Sequence, residues 1–113
     1  MRKKSFLLSG IILLVAQLSW ATPPSEIKLD YDKAKKVLHI KITHVTNRTR
    51  IHYIRKIIVT KNTEHPKEIH FVAQPTPSTF TKDVSFIAKP KDVIHVKAIC
   101  IEGGQAEESL TIE

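Results

Sequence analysis

Apolar and polar residues alternate along most of the chain beyond residue 25, and turn-forming residues interrupt this alternation about every dozen residues. A period of two is typical of half-buried β-strands, and none of these segments has the 3.6-residue period of an amphipathic helix. We therefore predict an all-β domain, an immunoglobulin-like antiparallel β-sandwich of about seven strands. The predicted strands cover residues 26–31, 38–44, 52–60, 68–73, 80–86, 93–101 and 107–112.

The segments between the predicted strands are rich in residues that strands avoid. Residues 46–50 are polar, and residues 62–66 and 89–92 are typical of turns. Residues 74–78 contain two prolines, which lack the main-chain N–H that a central strand donates. Gly103 and Gly104 interrupt the chain between its last two strands. These breaks set the number of strands at seven.

The first 21 residues have the three-part order of a secretory signal peptide. Positions 2–4 are basic, residues 6–18 are almost wholly apolar, and Ser19 and Ala21 are small residues placed where a signal peptidase cleaves. The apolar run is short for a membrane span, which takes about 20 residues. We predict cleavage after Ala21, which leaves residues 22–113 as one domain that is periplasmic or secreted.

Charge excludes one class of partner for this domain. The chain has 18 lysine and arginine residues against 11 acidic ones, but three of the basic residues belong to the predicted signal peptide. The remaining basic residues are spread along the strands with few aromatic residues between them, which indicates solvated strand faces rather than a nucleic-acid-binding stripe. We expect no nucleic-acid partner and no membrane attachment once the signal is removed.

Cys100 is the single cysteine of a chain that is predicted to enter an oxidising compartment. Exported domains of this size often carry disulfides, and one thiol cannot form an internal one. Three interpretations are open: a buried and inert side chain, a thiol that pairs with another molecule, or a metal ligand. By strand alternation, Cys100 shares an apolar face with Ile94, Val96 and Ala98, so its side chain is expected to point into the core.

Two segments together carry a family resemblance. The first is His52-Tyr53-Ile54, preceded by a polar loop. The second is the strand that ends at Cys100, with Gly103 and Gly104 just beyond it. In this order and spacing they resemble the iron-binding catalytic domain of the desulfoferrodoxin and superoxide reductase family. One strand of that family carries a His-Tyr-Ile motif, and its last-but-one strand ends in a cysteine with a histidine and a glycine just beyond.

The resemblance implies a metal site. In the family, four histidine nitrogens surround a ferrous iron and one cysteine thiolate binds opposite the open position. The match places His52 and Cys100 at two ligand positions. Residues 46–49 replace the family's His-Pro-Met, which makes His44 the nearest imidazole to a third position, and residues 101–104 contain no histidine. The resemblance therefore implies iron held by Cys100, His52 and His44.

The residues themselves allow the same trio to meet. His44 continues the apolar face of the second predicted strand and ends beside the loop that leads to His52. A set of one cysteine and two histidines, with Glu102 as the nearest carboxylate, would suit zinc, copper or ferrous iron. The other histidines lie on opposite faces or in turns and are expected at the surface; they are His39, His65, His70 and His95.

Two functions follow from these observations. The first is an exported, superoxide-reductase-like domain with an iron-binding or redox accessory role, with another transition metal or none as the remaining alternatives, and with a periplasmic redox or other protein partner. Whether it is an enzyme is left open by the sequence. The second is a metal-free immunoglobulin-like module that binds another periplasmic protein through a sheet edge or loop. The first predicts ligand atoms within about 4 Å of one another, whereas the second predicts that they stay apart.

Overall fold

The computed structural model describes residues 23–113, which form seven antiparallel β-strands and, within that range, no helix that could span a membrane. The strands are β1 (Glu26–Asp32), β2 (Val37–Thr43), β3 (Ile54–Lys61), β4 (Lys67–His70), β5 (Thr79–Ser85), β6 (Val93–Cys100) and β7 (Gln105–Thr111). The predicted signal peptide, residues 1–21, lies outside the described residues.

The strands form two sheets. One sheet has the order β1-β2-β5 and the other has the order β4-β3-β6-β7, and every neighbouring pair is antiparallel. Sequential strands change sheets between β2 and β3, between β4 and β5, and between β5 and β6. This arrangement confirms the predicted immunoglobulin-like sandwich of seven strands.

The core lies between the two sheets and is made by the inward faces of the central strands. Strand β2 buries Leu38, Ile40 and Ile42, and β6 buries Ile94, Val96, Ala98 and Cys100. In both strands the buried residues are spaced by two, because successive side chains of a strand point to opposite faces. The inner faces predicted for these two strands are therefore correct.

The buried residues of β3 do not follow strict alternation. Alternation from His52 would place Ile54 and Ile58 on one face, but Ile54, Ile57 and Val59 are buried and Ile58 is partly exposed. The register against β6 shifts between Ile54 and the second residue after it, which marks a β-bulge. An extra residue at a bulge reverses the alternation that follows it.

Strand β3 also begins two residues later than predicted. The strand starts at Ile54, so His52 lies in the preceding turn rather than at the start of the strand. The carbonyl oxygen of the bulged residue, Arg55, accepts a hydrogen bond from the main-chain N–H of Phe71 at 2.9 Å, which extends the pairing with β4. Strand β4 ends at His70 and is shorter than predicted. Strand β7 begins two residues earlier than predicted.

The connections fall at the two ends of the sandwich. One end carries the β2–β3 connection (residues 44–53), the β4–β5 connection (residues 71–78) and the β6–β7 hairpin (residues 101–104). We call this end the loop end. The opposite end carries residues 33–36, 62–66 and 86–92. His44, His52 and Cys100 all lie at the loop end.

At the opposite end, Asp92 joins two connections through its carboxylate. Its Oδ2 accepts the main-chain N–H of Lys89 at 3.0 Å, and its Oδ1 accepts Asn62 Nδ2 at 3.1 Å. Asn62 in turn accepts the main-chain N–H of Val93 at 2.9 Å. The hydrogen bond from Lys89 and then that from Asn62 lower the pKa of Asp92 below its ordinary value of 3.8.

We predict that Asp92→Asn alters the acid stability of the domain. The pKa of Asp92 is lower in the folded chain than in the unfolded chain, so ionised Asp92 stabilises the fold at pH values above the ordinary pKa of 3.8. This stabilisation is lost as the pH falls through the lowered pKa. The free energy of unfolding of wild type should exceed that of the variant near neutral pH, and the gap should close in acid. Urea unfolding at several pH values measures this gap. Glu108→Gln, at an exposed position of β7, is the control, and a gap that does not vary with pH would contradict the prediction.

Candidate metal centre

The structure brings His44, His52 and Cys100 together at the loop end. One potential ligand atom from each residue lies within 4.8 Å of the others. His44 follows the last residue of β2, whereas His52 precedes β3 and Cys100 ends β6. The cluster therefore draws one residue from one sheet and two from the other, which places it across the sandwich.

Main-chain pairing beyond the strands holds His44 in place. The N–H of His44 donates to the carbonyl oxygen of Ser78 at 3.0 Å, and the N–H of Thr46 donates to that of Pro77 at 2.7 Å. The antiparallel pairing of β2 with β5 thus continues past Thr43. As a result, His44 keeps the inward orientation of the preceding strand and is fully buried.

Gln74 sets the tautomer of His44. The side-chain nitrogen of Gln74 donates to two carbonyl oxygens, those of His44 at 2.8 Å and Thr76 at 2.9 Å. The amide oxygen therefore faces Nδ1 of His44, at 2.8 Å, and Nδ1 must carry the proton that this oxygen accepts. With the proton on Nδ1, Nε2 is the ring nitrogen that can act as a metal ligand. A metal-binding histidine is commonly held in this way by a partner on its other nitrogen.

Gln74 has a role that the sequence does not reveal. The sequence places it at the start of a proline-containing loop, yet it is only 3% exposed and its side chain makes three hydrogen bonds. The two prolines that follow it mark the loop, but nothing in the local sequence marks the glutamine as buried. Its structural role is to hydrogen-bond His44, which lies 30 positions earlier in the chain.

His52 carries a buried nitrogen that lacks a hydrogen-bond partner within the described part of the chain. Its main-chain N–H donates to the carbonyl oxygen of Arg48 at 2.7 Å, which holds the turn in which His52 lies. Its ring meets that of His44 edge-on, with the centroids 4.8 Å apart, and its Nε2 is the unpartnered atom. Leaving a buried polar group unpaired costs about 1–3 kcal/mol. A metal cation bound to this nitrogen would remove that cost.

The β6–β7 hairpin presents Cys100. The N–H of Cys100 donates to Gly104 O at 2.7 Å, and the N–H of Gly103 donates to Cys100 O at 2.9 Å. Gly103 has a φ of 102°, a conformation that glycine adopts without strain. The N–H of Ile101 donates to Tyr53 O at 3.0 Å, which ties the hairpin to the turn that carries His52.

The sulfur of Cys100 lies in surroundings that disfavour a free thiolate. Burial raises the pKa of the Cys100 thiol above its ordinary value, and the main-chain N–H of Glu102 opposes that effect. The negative charge of Glu102 raises the pKa further, whereas the N–H of Ile101 lowers it. A cation next to the sulfur would favour the thiolate, which is the form that binds metals.

The remaining histidines lie on the surface, as predicted. His39 contacts Asp83 at 2.7 Å, His70 contacts Glu68 at 3.3 Å, and His95 contacts Glu107 at 2.7 Å. The hydrogen bond that His39 donates to the Asp83 carboxylate raises the pKa of His39. His65 is exposed in the β3–β4 connection. Among the described residues, His44, His52 and Cys100 form the group that could hold a metal ion.

The donor set fits a transition-metal ion, although the atoms are spread more widely than in an occupied site. Atoms bound at about 2.0–2.3 Å in a tetrahedral arrangement lie about 3.5 Å apart. The observed limit of 4.8 Å is also wider than the separation of about 4 Å predicted from the sequence. Metal binding would therefore draw the three side chains together. One thiolate and two imidazoles are ligands that suit iron, zinc and copper.

We predict that Gln74→Ala destabilises the fold. The change removes the hydrogen bonds that the Gln74 side chain makes with Nδ1–H and the carbonyl of His44 in a buried site, and the free energy of unfolding should fall by about 2–3 kcal/mol. Urea unfolding measures the loss. Gln105→Ala, at an exposed position of β7, is the matched control and should change stability by less than about 0.5 kcal/mol. Equal losses in the two variants would contradict the role given to Gln74.

Comparison with known proteins supports a fold-level relationship. No family model and no curated protein matches the sequence. Among solved structures, two single-residue variants of superoxide reductase (neelaredoxin) from Ignicoccus hospitalis are similar, with TM-scores of 0.52 and 0.51 and identities of 16% and 15%. The alignments cover 87% and 88% of this chain and 86% and 87% of those chains. A superoxide reductase in the oxidised state aligns with a TM-score of 0.50 and 16% identity, over 83% of this chain and 92% of that one. The chain therefore has the fold of the superoxide reductases, and the resemblance seen in its sequence is confirmed at the level of the fold.

Proposed function

We propose that this protein is an exported domain that binds one transition-metal ion through Cys100, His52 and His44. The observation that carries the proposal is the buried Nε2 of His52, which lacks a hydrogen-bond partner among the described residues. The imidazole of His52 offers a ligand atom within 4.8 Å of those of a second imidazole and a buried thiol. A bound cation would satisfy the nitrogen and the sulfur together.

Iron is the metal that we propose first. The fold is that of proteins named superoxide reductases, and a soft thiolate with neutral imidazoles suits ferrous iron as well as zinc and copper. When bound, iron would supply the one electron that reduces superoxide or passes to a partner. The protein would contribute a water-excluding site, since His44 and Cys100 are fully buried, and a fixed imidazole, since Gln74 holds His44.

We place this domain in the periplasm or outside the cell. The proposal rests on the signal-like order of residues 1–21, with the domain starting at Thr22. A lone cysteine in an oxidising compartment is open to disulfide exchange if it is exposed. Cys100 is buried, so the fold would protect the thiol until a metal binds it.

A protein partner is supported by the apolar residues around the site. Val45, Ile51 and Ile101 are exposed, and each directly adjoins one of the three proposed ligands in sequence. Val72 is exposed in the β4–β5 connection, at the same end of the sandwich. An apolar surface beside a metal site suits a transient redox partner or another exported protein. The metal-free alternative requires histidines that stay apart, whereas the rings of the two site histidines are in contact.

The test of the proposal is the metal content of the protein after anaerobic purification from the periplasm. We expect about one iron or other transition-metal ion per chain, measured by elemental analysis, and loss of that ion in Cys100→Ala, because the variant lacks the thiolate. The matched control is His95→Ala, which removes an imidazole at the surface of β6. It should keep the metal. Absence of metal from wild type, with Cys100→Ala altered only in stability, would contradict the proposal.

A further inference from the structure

Glu102 is placed so that its carboxylate lies next to His52, one of the proposed metal ligands. It belongs to the β6–β7 hairpin, two positions after Cys100. Its Oε1 lies 4.0 Å from Nε2 of His52, the buried nitrogen described above. Its negative charge also contributes to the raised pKa of the Cys100 thiol.

The contact between Glu102 and His52 does not supply a hydrogen bond to Nε2 of His52. A separation of 4.0 Å is too long for a hydrogen bond, so the imidazole nitrogen and the carboxylate face each other across a gap. A metal ion bound to both would be about 2.0–2.2 Å from each, which in a tetrahedral site puts the two ligand atoms about 3.4 Å apart. The observed separation of 4.0 Å is therefore only slightly wider than a shared metal ion requires.

Charge balance favours a carboxylate at this point. A divalent ion bound by one thiolate and two neutral imidazoles leaves one positive charge uncompensated. Burying such a charge is costly, because buried charges are tolerated when they are paired. The carboxylate of Glu102 supplies the missing negative charge and makes the bound site neutral.

The hairpin allows the carboxylate to reach the ion. The turn is held by the hydrogen bond from Gly103 N–H to Cys100 O, so the main chain at Glu102 stays beside the sulfur. The side chain of Glu102 is 42% exposed, which leaves it room to rotate inward. A movement of less than about 1 Å brings Oε1 of Glu102 to ligand spacing from Nε2 of His52.

We propose that Glu102 is the fourth ligand of a four-coordinate site with Cys100, His44 and His52, and this inference rests on the proposed metal-binding function. The other histidines of the described chain lie on the surface, so none of them supplies a further imidazole to the site. The site would thus hold a divalent ion with one sulfur, two nitrogens and one oxygen. Because Glu102 is the most solvent-exposed of the four, it is the ligand that a substrate or water would displace.

Cobalt(II) titration of the metal-free protein tests this assignment, because Co²⁺ bound to a thiolate has a charge-transfer absorption band and its visible bands report coordination number. We expect wild type to show the thiolate band and four-coordinate visible bands. Glu102→Gln should keep the thiolate band but bind Co²⁺ at least about tenfold more weakly, since losing one ligand weakens the site without removing it. Glu107→Gln, which alters an exposed carboxylate of β7, should bind like wild type.

The outcomes separate the two proposals. If Glu102→Gln binds Co²⁺ as tightly as wild type, Glu102 is not a ligand, while the thiolate band still supports the metal site. If wild type shows no thiolate band, the metal-binding function itself fails, and the role of Glu102 fails with it. Equal unfolding midpoints of the metal-free proteins show that weaker binding does not arise from a damaged fold.

Discussion

The pairing of β3 with β6 is the interaction on which the candidate site depends. It places Ile54 opposite Cys100, so the turn before β3 must lie beside the end of β6. The bulge after Ile54 keeps this first pair in register while Ile57 and Val59 turn into the core farther along the strand. Without that bulge, an inward Ile54 and inward Ile57 could not both pack, because alternation would point one of them to solvent.

The two ends of the sandwich differ in how their buried polar groups are hydrogen-bonded. At the end opposite the site, Asp92 and Asn62 make hydrogen bonds that join the connections, which is typical of a structural contact. At the loop end, Gln74 holds His44 in the same manner, but His52 keeps a buried nitrogen without a partner among the described residues. Polar groups left unsatisfied in an otherwise well-bonded fold are commonly explained by an ion or by a catalytic role.

The similarity to superoxide reductases is a similarity of fold. The fold aligns over more than four-fifths of the chain, yet sequence identity is about one residue in six. A sandwich of this kind is held by inward apolar residues that many sequences can supply, whereas a metal site depends on a few particular side chains. The shared fold therefore does not determine the ligands, and the proposed arrangement of Cys100, His44, His52 and Glu102 rests on the side chains of this protein alone.

Local sequence was sufficient for the strands and for much of the site. Alternation predicted all seven strands, the inner faces of β2 and β6, and the inward positions of His44 and Cys100, because each depends on neighbours one or two residues away. The bulge in β3, the role of Gln74 and the 4.0 Å approach of Glu102 to His52 could not be predicted in this way. Each of them joins residues from different parts of the chain, and their meeting is set by the register between strands and the packing of one sheet on the other. The kinds of ligand could therefore be read from the sequence, whereas their convergence and the tautomer of His44 are properties of the folded chain.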